Sequence, residues 1–164
     1  MKRVVSAIST LLIFVFLLTA CGSQKPQDVI SNELGIDVSS GSEVSSSDSH
    51  GGFHGDGTAY IALSFPDNTV LDQIEESTQW KTFPLDRTVQ ALVYGVSDAT
   101  SSVGPFLNDG NGNPIVPGIS NGYYLLIDRH SDKKKGILNR SSFNFILGLY
   151  DTDTIVMYYC TLAT

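Results

Sequence analysis

The sequence of 164 residues is poor in several features that would settle its class at once. It has only two cysteines, which excludes a disulfide-dense scaffold. Lysine and arginine number 10 against 17 acidic residues, so the formal net charge is −7. A protein that binds phosphates without regard to sequence carries a basic face, so nucleic acid is not an expected partner. No apolar run reaches the roughly 20 residues that a membrane-spanning helix needs.

The amino-terminal segment has the pattern of an export signal that ends at a cysteine. Two basic residues, Lys2 and Arg3, precede a mostly apolar run over residues 4–18. The run ends in Leu18-Thr19-Ala20-Cys21, which resembles the lipobox of bacterial lipoproteins. The resemblance implies removal of residues 1–20 as a signal peptide and attachment of a thioether-linked diacylglycerol to Cys21. An ordinary secretory signal that happens to contain a cysteine is the alternative.

Lipidation at Cys21 predicts where the protein is found. The expected location is the outer face of a bacterial cytoplasmic membrane, or the outer membrane or periplasmic face in a Gram-negative cell. The membrane is then a partner through the lipid, because two or three acyl chains give stable anchoring. The remaining cysteine, Cys160, lies in an apolar segment and is interpreted as a buried free thiol rather than a nucleophile.

Composition divides the rest of the chain into two parts. Residues 22–52 contain no aromatic residue and are rich in serine, so we predict a solvated tether over residues 21–52, with the lipidated cysteine at its start. Fourteen of the sixteen aromatic residues follow, which predicts a globular domain over residues 53–164. The boundary has one open alternative, since Glu43–His50 has a composition that also suits an edge strand.

The globular part has the pattern of an α+β domain. We expect a mainly antiparallel sheet of four to five strands with two short helices on one face. Asp86 is the expected N-cap of the second helix, and Thr69 that of the first. The strands are predicted at Thr58–Phe65, Tyr123–Arg129, Phe143–Tyr150 and Ile155–Leu162.

Polar residues that could carry chemistry occur in two short segments. Imidazole and carboxylate groups could converge there on a zinc or another divalent cation if the segments were neighbours in the fold. The alternative is that the histidines are solvated turn residues or structural hydrogen-bonding groups, and no catalytic residue is assigned. The candidate metal or binding residues are His50, His54, Asp56, Asp128, His130 and Asp132.

Two other motifs match known patterns in the wrong context. Gly118-Ile119-Ser120-Asn121-Gly122 matches the G-x-S-x-G pattern, but a strand is predicted after the serine where a nucleophile elbow needs a helix. The segment that begins at Asp109 starts like a calcium loop, but Pro114 stands where that loop requires glycine. Both segments are therefore interpreted as turns.

The segments HGGFHGDG and DRHSD resemble those of uncharacterised small lipoproteins from Gram-positive bacteria. That resemblance implies no activity. Because every catalytic motif fails in context, we expect a non-enzymatic binding or interaction module whose partner is an extracytoplasmic protein or a small ligand. The alternatives are a metal-dependent or His/Asp acid–base hydrolase and an immunity- or inhibitor-type protein.

Overall fold

The computed structural model describes residues 25–50 and 56–164. The predicted signal peptide over residues 1–20 and Cys21 lie outside the described residues, as does the glycine segment 51–55. Within the described residues, no helix is both long and apolar enough to span a bilayer. The helices are α1 (Pro26–Leu34), α2 (Thr69–Glu76) and α3 (Arg87–Val93), with a 3-10 turn at Ile137–Asn139. The strands are β1 (Ser42–Asp48), β2 (Gly57–Ser64), β3 (Lys81–Thr82), β4 (Val96–Ser97), β5 (Ser102–Val103), β6 (Gly122–Asp128), β7 (Asn144–Asp151) and β8 (Val156–Ala163).

Six of the strands form one antiparallel sheet in the order β1-β2-β8-β7-β6-β3, and β4 pairs with β5 in a small separate sheet. The α+β class and the mainly antiparallel sheet are thus confirmed. The main sheet has more strands than the expected four to five, because β1 and the two-residue β3 form its edges. All four strands predicted from β-branched and aromatic content are present, each shifted by about one residue.

Alternating side chains give the sheet two apolar faces, and each face is covered. On the first face, α1 and α2 pack over β-strand residues such as Leu63, Ile146 and Tyr159. On the second face, α3 and the segment 105–116 pack over residues such as Phe145 and Cys160. The helices therefore lie on both faces, whereas the sequence pattern suggested one. The cause is that β7 and β8 are buried on both sides and need a layer above and below.

The structure corrects the tether over residues 21–52, because most of its described part belongs to the domain. Helix α1 and the turn after it bury four aliphatic side chains in the first-face core: Ile30, Leu34, Ile36 and Val38. Leu34 packs against Gly148. A side chain at position 148 would clash there, because its Cβ atom would lie only 3.1 Å from a methyl carbon of Leu34 and 2.8 Å from the Trp80 ring. Serine-rich composition predicted a solvated chain, but four aliphatic side chains at suitable positions are enough to hold this segment.

Strand β1 settles the open alternative for Glu43–His50 in favour of an edge strand. It pairs with β2 from Ser42 to Asp48, with a bulge between Glu43 and Ser45. Its seven side chains are all exposed. The strand therefore forms through its backbone hydrogen bonds to β2 and buries almost no side-chain surface, so composition alone does not reveal it.

The two helix caps have different outcomes. Asp86 caps α3 as predicted, since its carboxylate accepts a hydrogen bond from the Val89 N–H at 3.0 Å. Thr69 is instead the first residue of α2, and Asn68 is its N-cap. The carboxylate of Asp67 accepts the Thr69 N–H at 3.0 Å, so the side chain that holds this helix start lies two residues earlier than expected.

Candidate functional site

The two predicted His/Asp segments lie at the same end of the sheet but on different strands. One follows β1 and the other follows β6, and three strands separate them in the sheet order. The register aligns Asp128 with Phe145, Leu162 and Thr58 in one row across the sheet. Four strand spacings of about 4.8 Å place the two segments about 19 Å apart. The structure therefore does not bring the two segments together.

The first segment forms a small local hydrogen-bonded pair. The Asp48 carboxylate accepts the backbone N–H of His50 at 2.8 Å and lies 2.7 Å from its Nδ1. These two bonds, the backbone one first, lower the pKa of Asp48 below its ordinary value. Asp56 is exposed immediately before β2, and His54 lies outside the described residues.

The second segment is tied into its own loop. Arg140 donates one hydrogen bond to the Asp128 carboxylate at 2.9 Å and forms an ion pair with its other oxygen at 2.8 Å, and Lys133 lies 3.4 Å from the same group. The Arg140 hydrogen bond is the main cause that lowers the pKa of Asp128 to about 2. Asp132 uses one carboxylate oxygen to accept the Lys134 N–H. Both carboxylates of this segment are thus engaged by groups of the same loop.

Both ring nitrogens of His130 are engaged. Its Nδ1 accepts the backbone N–H of Asp132 at 2.9 Å, and its Nε2 lies 3.0 Å from the Ser142 hydroxyl. Acceptance at Nδ1 requires the neutral tautomer with its proton on Nε2. Among residues 25–50 and 56–164, moreover, no three His, Cys, Asp or Glu side chains are grouped as a metal ion would require. In this loop His130 is a structural hydrogen-bonding group.

Two further sequence interpretations can be compared with the structure. Ser120 is exposed and precedes β6, so the G-x-S-x-G match is a turn without the helix of a nucleophile elbow. Cys160 is a free, fully buried thiol on the second face, as expected. Burial raises its pKa far above the ordinary value, which keeps the thiol protonated.

A groove of about 530 Å³ opens on the second face at the carboxyl end of β1. Serine and threonine residues of β1 and β2 form one wall, since Ser47 pairs with Tyr60 and Ser49 bonds to Thr58. The other wall is the segment that crosses the second face after β5. The groove is lined by Ser47, Asp48, Ser49, Thr58, Phe106, Asn108, Asp109, Gly110 and Ile115.

The second wall is held rigidly by its own hydrogen bonds. The N–H groups of Phe106 and Leu107 both donate to the carbonyl of Leu92 in α3, and Leu107 is fully buried. Gly104 precedes this anchor with φ of +76°, and a Cβ there would lie 2.0 Å from the Ala91 carbonyl oxygen. Only glycine allows the chain to pass α3 so closely.

The groove is acidic and rich in hydrogen-bonding groups. Asp109 accepts hydrogen bonds from Asn111 and Asn113, and the Asn113 side chain is the main cause that lowers the pKa of Asp109. The register places the Asp48 side chain on the first face, so the carboxylate of the groove is that of Asp109, which is ionised at neutral pH. None of the nine lining residues is basic. Together with the hydroxyl groups and the apolar surface of Phe106 and Ile115, this lining suits a cationic group on an aliphatic stem.

Sequence reasoning missed the groove because its lining comes from three separate segments. The only local signals were the polar run after Leu107 and the open alternative of a strand at Glu43–His50. The polar run was correctly interpreted as a turn, since the Asp109 carboxylate closes it. Its position across from Ser47 depends on how the chain crosses the second face, which no local pattern predicts.

Comparison with known proteins yields no matching family model, no matching curated protein and no matching solved structure. The candidate site accordingly stands on the geometry described above.

Proposed function

We propose that this chain is a lipid-anchored extracytoplasmic binding module whose groove at the end of β1 takes a cationic, hydrogen-bonding group of its ligand. The observation that carries the proposal is the lining of the groove, which combines the ionised carboxylate of Asp109 with hydroxyl groups and no basic residue. A ligand cation is thereby attracted, and its N–H groups find acceptors.

The hydrolase alternative is weaker on the same geometry. A general base needs a free ring nitrogen or carboxylate near the reacting group, and a nucleophilic cysteine needs an accessible thiolate. His130 uses both ring nitrogens, Asp128 is held by Arg140, and Cys160 is buried. His130, Asp128 and Cys160 are thus committed to holding the fold, which favours binding over catalysis.

The proposed lipid anchor would attach near the start of β1, whereas the groove lies at the end of that strand. Five Cα–Cα steps separate Cys21 from Pro26, and they can span at most about 18 Å. Gln27 donates to the carbonyl of Gly41 at 3.2 Å, so α1 begins near the start of β1, whereas the groove lies at the end of that strand. Seven strand residues extend about 20 Å. A lipid on Cys21 would therefore hold the domain at the membrane with the groove at the far end of β1.

A titration with a minimal cation tests the groove. Nα-acetyl-lysine amide should bind saturably to the purified protein in isothermal titration calorimetry at low salt, and Nα-acetyl-norleucine amide, which lacks the charge, should not. Asp109→Asn keeps an oxygen to accept the turn hydrogen bonds but removes the charge, so its affinity should fall by about tenfold.

Asp98→Asn is the matched control, because the Asp98 carboxylate also closes an exposed turn but lies outside the groove lining. It should bind like the wild type. Equal binding by the wild type and Asp109→Asn, or equal weakening by both substitutions, would refute the assignment of the groove.

A further inference from the structure

We infer that β1 is the docking edge for an extended, basic segment of a partner protein, which adds to the main sheet as a seventh strand. The inference rests on the proposed function in one respect, since Ser47 and Asp48 belong both to β1 and to the groove. It adds a second element to the binding surface, the outer edge of β1, and a second ligand, a peptide strand whose basic side chains lie on the first face, opposite the groove.

The outer side of β1 offers unpaired backbone groups. Strand β1 is the last strand of the sheet, and within the described part of the chain no element pairs with its outer side. Ser49 donates its N–H to the Thr58 carbonyl, and in an antiparallel ladder the hydrogen-bonded pairs alternate. The N–H and C=O groups of Ser46 and Asp48 therefore point away from β2, where an added strand would bond to them.

The charge of the edge selects a basic partner. Exposed edge strands are commonly protected by lysine or proline, and β1 contains neither. It carries instead Glu43 and Asp48, which the register places on the first face with Leu63 and Ala59. A second copy of this chain would bring the same acidic groups and another net charge of −7, so self-pairing is opposed by repulsion.

The register predicts the pattern of the partner segment. Side chains of an added strand alternate between the faces, so every second residue lies beside Glu43, Ser46 and Asp48 on the first face. We expect basic residues at these positions, because they lie beside the carboxylates of Glu43 and Asp48. The intervening residues lie beside Ser45, Ser47 and Ser49, which leaves room for small polar side chains. Val44, at the bulge and 58% exposed, adds an apolar contact.

A labelled peptide with this alternation provides the test. Fluorescein-labelled Lys-Thr-Lys-Thr-Lys-Thr-Lys amide should bind the full chain in fluorescence anisotropy, and the counterpart with glutamate in place of lysine should not. Ser46→Pro removes an N–H that points away from β2, so it spares the ladder within the sheet and should weaken binding by about tenfold.

A charge pair of variants and a backbone measurement complete the test. Glu43→Lys should also weaken binding about tenfold, whereas Glu76→Lys, an equal change at an exposed position of α2, should leave it unchanged. If Ser46→Pro does not fold, amide hydrogen exchange of the wild type decides, because the bound peptide should slow exchange at Ser46 and Asp48.

The outcomes separate the edge from the groove. Weaker binding by Ser46→Pro or Glu43→Lys, together with slowed exchange at Ser46 and Asp48, supports strand addition. No binding of the lysine peptide, or binding without any change of exchange at these amides, overturns it. In that case a retained affinity for Nα-acetyl-lysine amide leaves the groove in place, whereas loss of both ligands means that the proposed function fails as well.

Discussion

At the residue scale, Asp128, which the sequence presented as a candidate metal ligand, forms ion pairs with two basic side chains, Arg140 and Lys133. Its carboxylate accepts one hydrogen bond from Arg140 and forms an ion pair with it at 2.8 Å, and the Arg140 side chain is only 5% exposed. Arg140 also donates to the Lys135 carbonyl at 3.0 and 2.8 Å. Asp128 therefore closes the loop after β6 by holding a buried guanidinium, and its role is structural.

This role predicts a stability difference between two neighbouring substitutions. Asp128→Ala leaves the Arg140 guanidinium buried without its carboxylate and should lower the free energy of unfolding by about 2–3 kcal/mol. Lys133→Ala removes an exposed ion pair at 3.4 Å and an exposed hydrogen bond to the Asp128 carbonyl, and it should change the free energy of unfolding by less than about 1 kcal/mol. Urea denaturation of both variants measures the difference. Equal effects would show that the Arg140 pair does not hold the loop.

The same pair predicts a pH dependence. The pKa of Asp128 is about 2 in the fold, against about 3.9 in an unfolded chain. Because the folded pKa is the lower one, the stabilisation is fully present above about pH 4 and is lost as the pH falls toward 2. As the pH falls from 5 to 2, the free energy of unfolding of Asp128→Asn should therefore decrease by about 1–2 kcal/mol less than that of the wild type. Parallel stability curves in that range would contradict the assignment.

At the element scale, the amino-terminal helix and the edge strand complete the domain. Besides its buried aliphatic side chains, α1 is held by Glu33, which accepts a hydrogen bond from the Tyr159 hydroxyl and pairs with Arg129 at 2.7 Å. Burial is the first cause that raises the pKa of Tyr159, and the Glu33 bond adds to it. The helix is thus fixed to the sheet by apolar packing and by a charged contact.

Removal of these elements should unfold the protein. A chain that begins at residue 53 lacks α1, β1 and the four aliphatic side chains that they bury, each worth about 2 kcal/mol or more. That loss is comparable to the whole stability of a small domain, so cooperative thermal unfolding should disappear. A chain that begins at Gln24 should unfold cooperatively, as measured by circular dichroism. A cooperative transition in the shorter chain would restore the tether interpretation.

The sequence predicts the central elements better than the edges, for a physical reason. Strands β2, β6, β7 and β8 are buried and carry β-branched and aromatic side chains, so composition reveals them. Strand β1 is held by backbone hydrogen bonds, which serine provides as well as valine does. The groove depends on a crossing of the second face by residues far apart in the chain. The Asp86 cap was predictable because it is local, whereas the Arg140 partner of Asp128 was not.

At the scale of the whole molecule, the protein is an acidic domain with a proposed lipid anchor at Cys21. Loss of Lys2 and Arg3 with the signal would lower the basic count from 10 to 8 against 17 acidic residues, so the mature charge would be −9. An anionic membrane repels such a domain. Attachment would then depend on the acyl chains of Cys21, and charge would orient the domain away from the surface.

Cys21→Ala tests the anchor in cells. The wild type should incorporate radiolabelled palmitate and sediment with the membranes, because two or three acyl chains bind a bilayer stably. The variant should lose the label and should either be released or remain as an unprocessed precursor. Unchanged labelling and sedimentation of the variant would rule out Cys21 as the lipidated residue.

NMR spectroscopy of the isotope-labelled protein, during titration with Nα-acetyl-lysine amide, locates the ligand directly on the molecule. Saturable shift changes are expected at the amides of Ser47, Ser49, Thr58 and Ile115, which surround the groove. No change is expected in the Asp128–Arg140 loop, about 19 Å across the sheet. Changes centred on that loop, or a spectrum unaltered by the ligand, would contradict the proposal that this protein binds its ligand at the end of β1.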